Sequence, residues 1–330
     1  MNYLGEQIEA LNTYSKDAVC WLSIKVKGRY NLPNNPYGYA CGETSCIYCN
    51  SKQTIRRGLD QNFLNLFSIA DLKEIIRSKP SRLMEIWDEK SRLYINQHTK
   101  SLEEFKEQCA KLFVESGYTN WFLVEKKNYL LANLLDQHTC LYCNREYIFV
   151  YKKSEGKGMV PQFDHWFPKK DFPLFGLSFY NLIPSCGTCN SIKSYENLNL
   201  VEHLHPYIDI NISSSYLFSF LALDTSKNQI VFKNNSFLNS KGIDTVNALN
   251  LELIYRGHSD KELQDLIDLR HKYSTNYLNI LLEKMFPDLG ISKEERYRLI
   301  FGIELNKENY HKRIFSKFKN DIINELISIE

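Results

Sequence analysis

Two Cys-x-x-Cys pairs are the clearest chemical signal in the chain. They are formed by Cys140 with Cys143 and by Cys186 with Cys189. A Cys-x-x-Cys turn places two sulfurs on one side of a tight loop, and two such turns complete the tetrahedral shell that zinc favours. Because four protein thiolates leave no open coordination position, we expect a structural zinc. The alternative, four unrelated thiols, does not explain the spacing.

A second group of cysteines precedes the first by about a hundred residues. Cys41, Cys46 and Cys49 offer three thiolates in one short segment, and a fourth ligand could come from Cys20 or from a distant residue. The string CIYCN at 46–50 also resembles CLYCN at 140–144. The pattern is compatible with a second structural zinc. The alternative is a set of reduced thiols packed in a small subdomain.

Between the two Cys-x-x-Cys pairs lies the string FDHWFPK, residues 163–169. Cleavage of a phosphodiester with one metal ion needs a general base to activate water and a divalent cation to neutralise developing charge. Neighbouring residues of a strand point to opposite faces, so a twist at the strand end would let His165 face the water and Asp164 face the metal. Asn190 could add an amide oxygen, and such hard oxygen donors suit Mg²⁺ or Mn²⁺.

The strings CLYCNRE, FDHWFPK and FYNLIPSCGTCNSIK together resemble the HNH endonuclease family, whose core is the ββα-metal finger. The resemblance covers about residues 138–195. It implies that Asp164 is the first ligand of the catalytic metal and that His165 is the general base. It also implies that Asn181 is the central motif residue, which braces the loop of the finger. Asn190 would be the last motif residue and a metal ligand, where some members have histidine.

Each of these residues has a less specific interpretation when it is taken alone. His165 would be a surface or core histidine, Asn181 a turn residue, and Asn190 the cap of a short helix running to Tyr195. Their joint placement within the zinc pairs favours the catalytic interpretation. Lys169 and Lys193 adjoin the motif, and we expect them to contact phosphates rather than to be only solvated charges.

The string EHLHPYID, residues 202–209, resembles an extension in a subset of HNH proteins from prokaryotic anti-phage systems, notably the Septu type. In that type an HNH subunit works with an ATPase partner. The resemblance implies a nuclease effector of antiviral defence, acting on DNA more readily than on RNA. His205 would approach the catalytic cleft, whereas His203 fits a packed turn equally well. The alternatives are a zinc-stabilised nucleic-acid-binding module that does not cleave and a toxin-like ribonuclease.

The elements that must position these residues change in character along the chain. Apolar residues recur at helical spacing from about Phe63 to Gln137, and a hairpin is predicted at 215–233 with helices after it. We therefore predict an α+β fold, mainly helical, with a central zinc-stapled finger. Its predicted regions are a mostly helical part with the second cysteine group at 1–135, the finger at 136–210, and a hairpin with helices at 211–330.

Composition limits the class of protein without deciding its function. Hydrophobic residues make up 43% of the 330 residues and charged residues 24%, which is enough apolar material for a globular core. The net charge of +2 neither demands nor excludes a nucleic-acid partner, because binding needs only a local basic patch. The number of cysteines is odd, which argues against a disulfide framework. The sequence also shows no apolar run long enough for a bilayer and no signal-peptide pattern. We therefore predict a cytoplasmic protein without a membrane partner.

Overall fold

The computed structural model describes residues 1–51, 54–151, 158–224, 227–233, 240–272, 280 and 291–328. Its fold is mixed α+β and mainly helical, so the predicted fold class is confirmed at that level. The helical prediction for 273–279 and 281–290 lies outside the described residues. None of the described helices combines the length and the apolar character that crossing a bilayer requires.

The chain forms two compact units, which are described separately. Unit 1 consists of Met1–Gly5, Gln137–Gln162 and Pro184–Glu330, and unit 2 consists of Glu6–Asp136 and Phe163–Ile183. Residues 163–183 of the predicted finger therefore belong to unit 2. The three predicted sequence regions stay a prediction.

Unit 2 is built mainly from helices whose ends carry recognisable caps. Ser68 and Asp71 form a reciprocal capping box at the start of one helix, and Ser101 and Glu104 form another. Pro80 occupies the first turn of a third helix, where a missing N–H costs nothing. The helices are α1 (Ile8–Lys27), α2 (Gln61–Asn65), α3 (Ile69–Arg77), α4 (Pro80–His98), α5 (Leu102–Cys109), a π-helix (Ala110–Val124) and α6 (Lys127–Leu135).

Aromatic side chains form much of the core of unit 2. Trp121 of the π-helix stacks on Trp21 of α1 with ring centroids 5.5 Å apart, and it also lies 6.0 Å from Tyr14. Tyr14 donates a hydrogen bond to the carbonyl of Leu177 at 2.8 Å. This contact ties the segment Phe163–Ile183 to α1 within the same unit.

Between α1 and α2, the described residues of the segment 29–60 have little regular structure. Among the described residues of this segment, the pairings outside helices and strands are the bridges Arg29 to Tyr39 and Asn31 to Asn35. Gly28 links α1 to this segment with a φ of 75°, a left-handed value that favours glycine. The cysteines at positions 41, 46 and 49 lie here.

Asp164 and His165 of the predicted catalytic motif lie on a short strand that pairs with a second one. Strand β1 (Gln162–His165) pairs with β2 (Leu182–Ser185) in a two-stranded sheet. Between them the chain makes two 3₁₀ turns, Pro173–Phe175 and Phe179–Asn181. The backbone N–H of Trp166 donates to the carbonyl of Asn181 at 3.0 Å, which extends the pairing at the end of β1.

Unit 1 contains the predicted hairpin and the other helices of the part of the chain that the structure describes. Strands β3 and β4 pair antiparallel, with Phe218 opposite Phe232, so the hairpin predicted at 215–233 is present. Phe218 also packs against Tyr255 and Phe318 in the core of this unit. Its strands and α-helices include α7 (Gly187–Lys193), β3 (Phe218–Ala222), β4 (Asn228–Phe232), α8 (Ser240–Ala248), α9 (Leu251–Arg256), α10 (Gln264–Lys272), α11 (Lys293–Phe301) and α12 (Ser316–Ser328).

Candidate metal centres and catalytic residues

The four cysteines predicted to bind the first zinc lie together in unit 1. The sulfurs of Cys140, Cys143, Cys186 and Cys189 all lie within 4.8 Å of one another, and all four residues are buried. The Cys143 and Cys186 sulfurs are 4.0 Å apart. Tetrahedral zinc with Zn–S bonds of about 2.3 Å holds its sulfurs about 3.8 Å apart. This group could therefore hold a structural zinc.

Local hydrogen bonds explain why the two Cys-x-x-Cys segments form tight turns. The N–H of Asn144 donates to the carbonyl of Cys140 at 2.8 Å and closes the first turn. In the second, the Cys186 sulfur caps α7 by accepting the N–H of Cys189 at 3.4 Å. Helix α7 therefore begins at Gly187, and the predicted helix start at Asn190 is wrong, because the cysteine takes the capping position.

The buried thiols of the first group shift one another's pKa in opposite directions. Burial raises the pKa of Cys140 well above its usual value. Hydrogen bonds from Cys140, Cys186 and Cys189 lower the pKa of Cys143 well below its usual value. The N–H of Arg145 also donates to the Cys143 sulfur at 3.4 Å. N–H donors directed at sulfur stabilise thiolates, which are the form that binds a cation.

Asn144 is a structural residue outside the predicted catalytic and zinc-binding sets. It follows Cys143, has a φ of 52°, and is buried. Its side-chain amide donates to Thr139 Oγ1 at 2.9 Å and to the carbonyl of Tyr310 at 2.8 Å. Asn144 therefore ties the first cysteine turn to the C-terminal part of unit 1. The repeated string CxYCN was the one signal in the sequence that marked it.

The second group of cysteines is complete in unit 2, with Cys20 as its fourth member. The Cys20 sulfur lies 3.4 Å from that of Cys46 and 3.6 Å from that of Cys49. Cys41 lies 3.6 Å from Cys49, and all four sulfurs are within 4.8 Å of one another. Of the two sources considered for the fourth ligand, Cys20 is therefore the one that the fold supplies.

Asp164 and His165 end strand β1, and both are buried in unit 2. The Nε2 atom of His165 lies 3.1 Å from the carbonyl oxygen of Gly176. A carbonyl only accepts, so Nε2 carries the proton in this hydrogen bond. In the neutral ring the lone pair is then on Nδ1, which is the atom that a general base would use.

Asn181 connects the two ends of the loop that follows His165. Its Oδ1 atom accepts the N–H of Phe167 at 2.7 Å, and its amide nitrogen donates to the carbonyls of Phe167 and Phe175, each at 3.2 Å. The side chain is fully buried. These three hydrogen bonds hold the loop by its backbone.

Tyr118, on the π-helix, contacts the predicted base and was not identified from the sequence. Its ring packs edge-on against His165 with centroids 4.4 Å apart, and its hydroxyl donates to the carbonyl of Phe163 at 2.8 Å. Burial, and then the charge of Asp164, raise the pKa of Tyr118 above its usual range. The phenol therefore remains a donor at neutral pH. No spacing in the sequence links Tyr118 to His165.

The other predicted residues occupy different environments. Lys169 of unit 2 is exposed, and its ammonium lies 4.9 Å from the ring centroid of Tyr118. In unit 1, Lys193 is buried at the end of α7. Asn190 lies on the same helix, and its side-chain amide nitrogen donates a hydrogen bond to Gln162 Oε1 at 2.6 Å. Asn190 and Asp164 belong to different units, so their joint binding of one cation stays a prediction.

The histidines of the segment 202–209 serve local turns in unit 1. The Nδ1 atom of His203 accepts the N–H of Asn199, and that of His205 accepts the N–H of Tyr207, each at 3.2 Å. His205 is fully buried. These bonds fit the packed-turn interpretation of His203. A catalytic role for His205 stays a prediction.

Comparisons of the chain with protein-family models, curated proteins and solved structures gave no match.

Proposed function

We propose that the protein is a metal-dependent endonuclease of the HNH type that hydrolyses phosphodiester bonds. The observation that carries the proposal is the setting of His165. It lies beside Asp164, its ring is fixed by Gly176 and Tyr118, and its proton is directed to Nε2. A histidine held in this tautomer is suited to accept a proton at Nδ1.

The residues of unit 2 support distinct parts of this reaction. His165 would take the proton of the attacking water at Nδ1, and Gly176 would stabilise the resulting imidazolium through Nε2–H. Asn181 would keep the loop in place through its three backbone contacts. A divalent cation such as Mg²⁺ or Mn²⁺, when bound through the hard oxygens of Asp164, supplies charge neutralisation at phosphorus. Asn190 as its second ligand is a prediction from the family resemblance.

The test is cleavage of plasmid DNA, single-stranded DNA and RNA in the presence of Mg²⁺ or Mn²⁺. We expect His165→Ala to lower the cleavage rate by about 10²–10⁴-fold, the usual contribution of a general base. His271→Ala is the matched control, because His271 is exposed on α10 of unit 1. A His165→Ala variant that cuts as fast as wild type would overturn the mechanism.

A second candidate function is nucleic-acid binding without cleavage. The exposed rings of Tyr147 and Phe149 in unit 1 favour it, since they stack with centroids 4.8 Å apart and a tilt of 14°. Exposed stacked aromatics suit contact with unpaired bases. Retention of single-stranded DNA or RNA, without cleavage of any substrate and with either metal, would favour this candidate.

The proposed biological role is that of a nuclease effector in antiviral defence, acting with an ATPase partner. It rests on the resemblance of residues 202–209 to the Septu type. The test is co-purification with an ATPase encoded next to this chain, followed by cleavage assays with and without that partner. A freely active chain that does not bind such an ATPase would contradict this role.

A further inference from the structure

We propose that Cys20, Cys41, Cys46 and Cys49 bind a second structural zinc ion, and that this ion fixes the segment 29–60 to helix α1. The proposal does not depend on the nuclease function. It rests on the geometry of the four sulfurs, on the small core of the segment that supplies three of them, and on the position of Tyr48 between two of the ligands.

The geometry is that of a site for one ion. Three of the separations between the sulfurs are 3.4, 3.6 and 3.6 Å. A tetrahedral zinc–thiolate centre holds its sulfurs about 3.8 Å apart. An iron–sulfur cluster of several irons would separate the four thiolates further, because iron and sulfide atoms lie between them. Since all four sulfurs lie within 4.8 Å of one another, a mononuclear centre fits and a larger cluster does not.

The segment that provides three of the ligands does not have enough buried apolar residues to hold itself in place. Among its described residues, 29–51 and 54–60, Tyr48 is the one that is buried. Short segments without a core usually need a metal or a disulfide to become ordered. Cys20 has the opposite setting, since it is buried in the middle of α1. Coordination would therefore join a poorly packed segment to a stable helix.

Tyr48 shows what this attachment does for the rest of unit 2. It lies between Cys46 and Cys49, and its hydroxyl donates to Asp17 Oδ2 at 3.1 Å. The same hydroxyl accepts the indole N–H of Trp121 at 3.2 Å. A metal bound by the neighbouring cysteines would hold Tyr48 against the aromatic core. Trp121 belongs to the π-helix that also carries Tyr118.

The two cysteine groups differ in their exposure to solvent. All members of the first group are buried, whereas Cys41, Cys46 and Cys49 are partly exposed. A surface cavity of about 760 Å³ is bordered by Cys20, Cys41 and Cys46. A chelator would reach the second ion more easily. We therefore expect zinc to leave wild-type protein in two phases, the faster one from the second group.

The deciding measurement is the zinc content of the purified full-length chain by elemental analysis. We expect about two zinc ions per wild-type chain and about one in Cys20→Ser, with the faster phase of release absent. Cys109→Ala is the matched control, since Cys109 is buried in the same unit but belongs to neither group. It should keep both ions and both phases.

Several results would overturn the proposal. One is a wild-type chain with a single zinc that Cys140→Ser removes and Cys20→Ser retains. A second is a Cys20→Ser variant whose zinc content equals that of wild type. A third is iron in place of zinc in the wild-type chain. A fourth is a wild-type mass that is lower by two hydrogens for each disulfide formed among the four cysteines. If Cys20→Ser does not fold, Cys41→Ser gives the same readout, because its partly exposed side chain lies outside α1.

Discussion

At the scale of single residues, His165 is held by contacts on two sides within unit 2. Gly176 accepts its Nε2–H, and the ring of Tyr118 packs against its edge. Neither neighbour supplies a charge. Their effect is on position and tautomer, which are the properties that a general base needs before its pKa matters.

We expect Tyr118 to act as a positioning residue for His165. Tyr118→Phe should lower stability by about 1–3 kcal/mol, because the buried carbonyl of Phe163 loses its donor. Tyr118→Leu also removes the ring that packs against His165. It should therefore lower the cleavage rate below that of Tyr118→Phe and shift the pH profile of that rate. Tyr195→Phe, at an exposed site, is the control. Cleavage with an unchanged pH profile in Tyr118→Leu would show that the ring has only a packing role.

Asn181 should matter for stability as well as for cleavage. Replacing it with leucine removes three hydrogen bonds to buried backbone groups, so we expect a loss of about 2–4 kcal/mol in urea unfolding. Asn65→Ala, on the exposed surface of α2, should change stability by less than about 0.5 kcal/mol. Equal stability of Asn181→Leu and wild type would contradict the bracing role.

At the scale of elements, helix α3 depends on one carboxylate. Asp71 accepts the N–H of Ser68 at 2.7 Å and the ammonium of the buried Lys90 at 2.7 Å. Partial burial opposes ionisation of Asp71. The hydrogen bonds from Lys90 and Ser68 outweigh burial and lower its pKa below the usual 3.8. The same side chain therefore caps α3 and neutralises a lysine of α4.

The pH dependence of stability should report this carboxylate. Because the pKa of Asp71 is lower in the folded state, its contribution is fully present above the unfolded pKa of 3.8 and is lost as pH falls through the folded pKa. Asp71→Asn should be less stable than wild type by about 2–4 kcal/mol at pH 7, with a difference that shrinks below pH 3.8. Asp88→Asn on the exposed face of α4 is the control in urea titrations. A difference that does not change with pH would contradict the assignment.

At the scale of the whole molecule, the two cysteine groups belong to different units. The first group ties Gln137–Gln162 to the segment after Pro184 in unit 1, and the second ties the segment 29–60 to α1 in unit 2. Each site should therefore stabilise its own unit.

Hydrogen exchange measured by mass spectrometry can separate the two effects. We expect Cys20→Ser to increase exchange in peptides from 29–51 and from the π-helix, because Tyr48 loses its fixed contact with Trp121. Cys140→Ser should instead increase exchange in unit 1, around the cysteine turns and Asn144. Cys109→Ala is again the control. A uniform change across the chain in both cysteine-to-serine variants would contradict separate structural roles.

The predictions that succeeded from sequence depend on local spacing. The paired cysteines were recognisable because a Cys-x-x-Cys turn is a short-range structure, and the helices of unit 2 because their apolar residues repeat at helical spacing. The hairpin of β3 and β4 was also recognisable from local sequence, because two short apolar runs with strand character are separated by a turn. The start of α7 was missed, because the Cys186 sulfur, not Asn190, takes the capping position.

The remaining relations depend on residues that are far apart in the chain. Cys20 contacts Cys46, 26 residues later in the chain, because the loop after α1 folds back onto that helix. Tyr118 reaches His165 because the π-helix packs on β1 within unit 2. The sequence by itself determined which residues can bind a metal or move a proton. The tertiary structure decided which of them meet, because side-chain packing between distant segments leaves no periodic pattern in the chain.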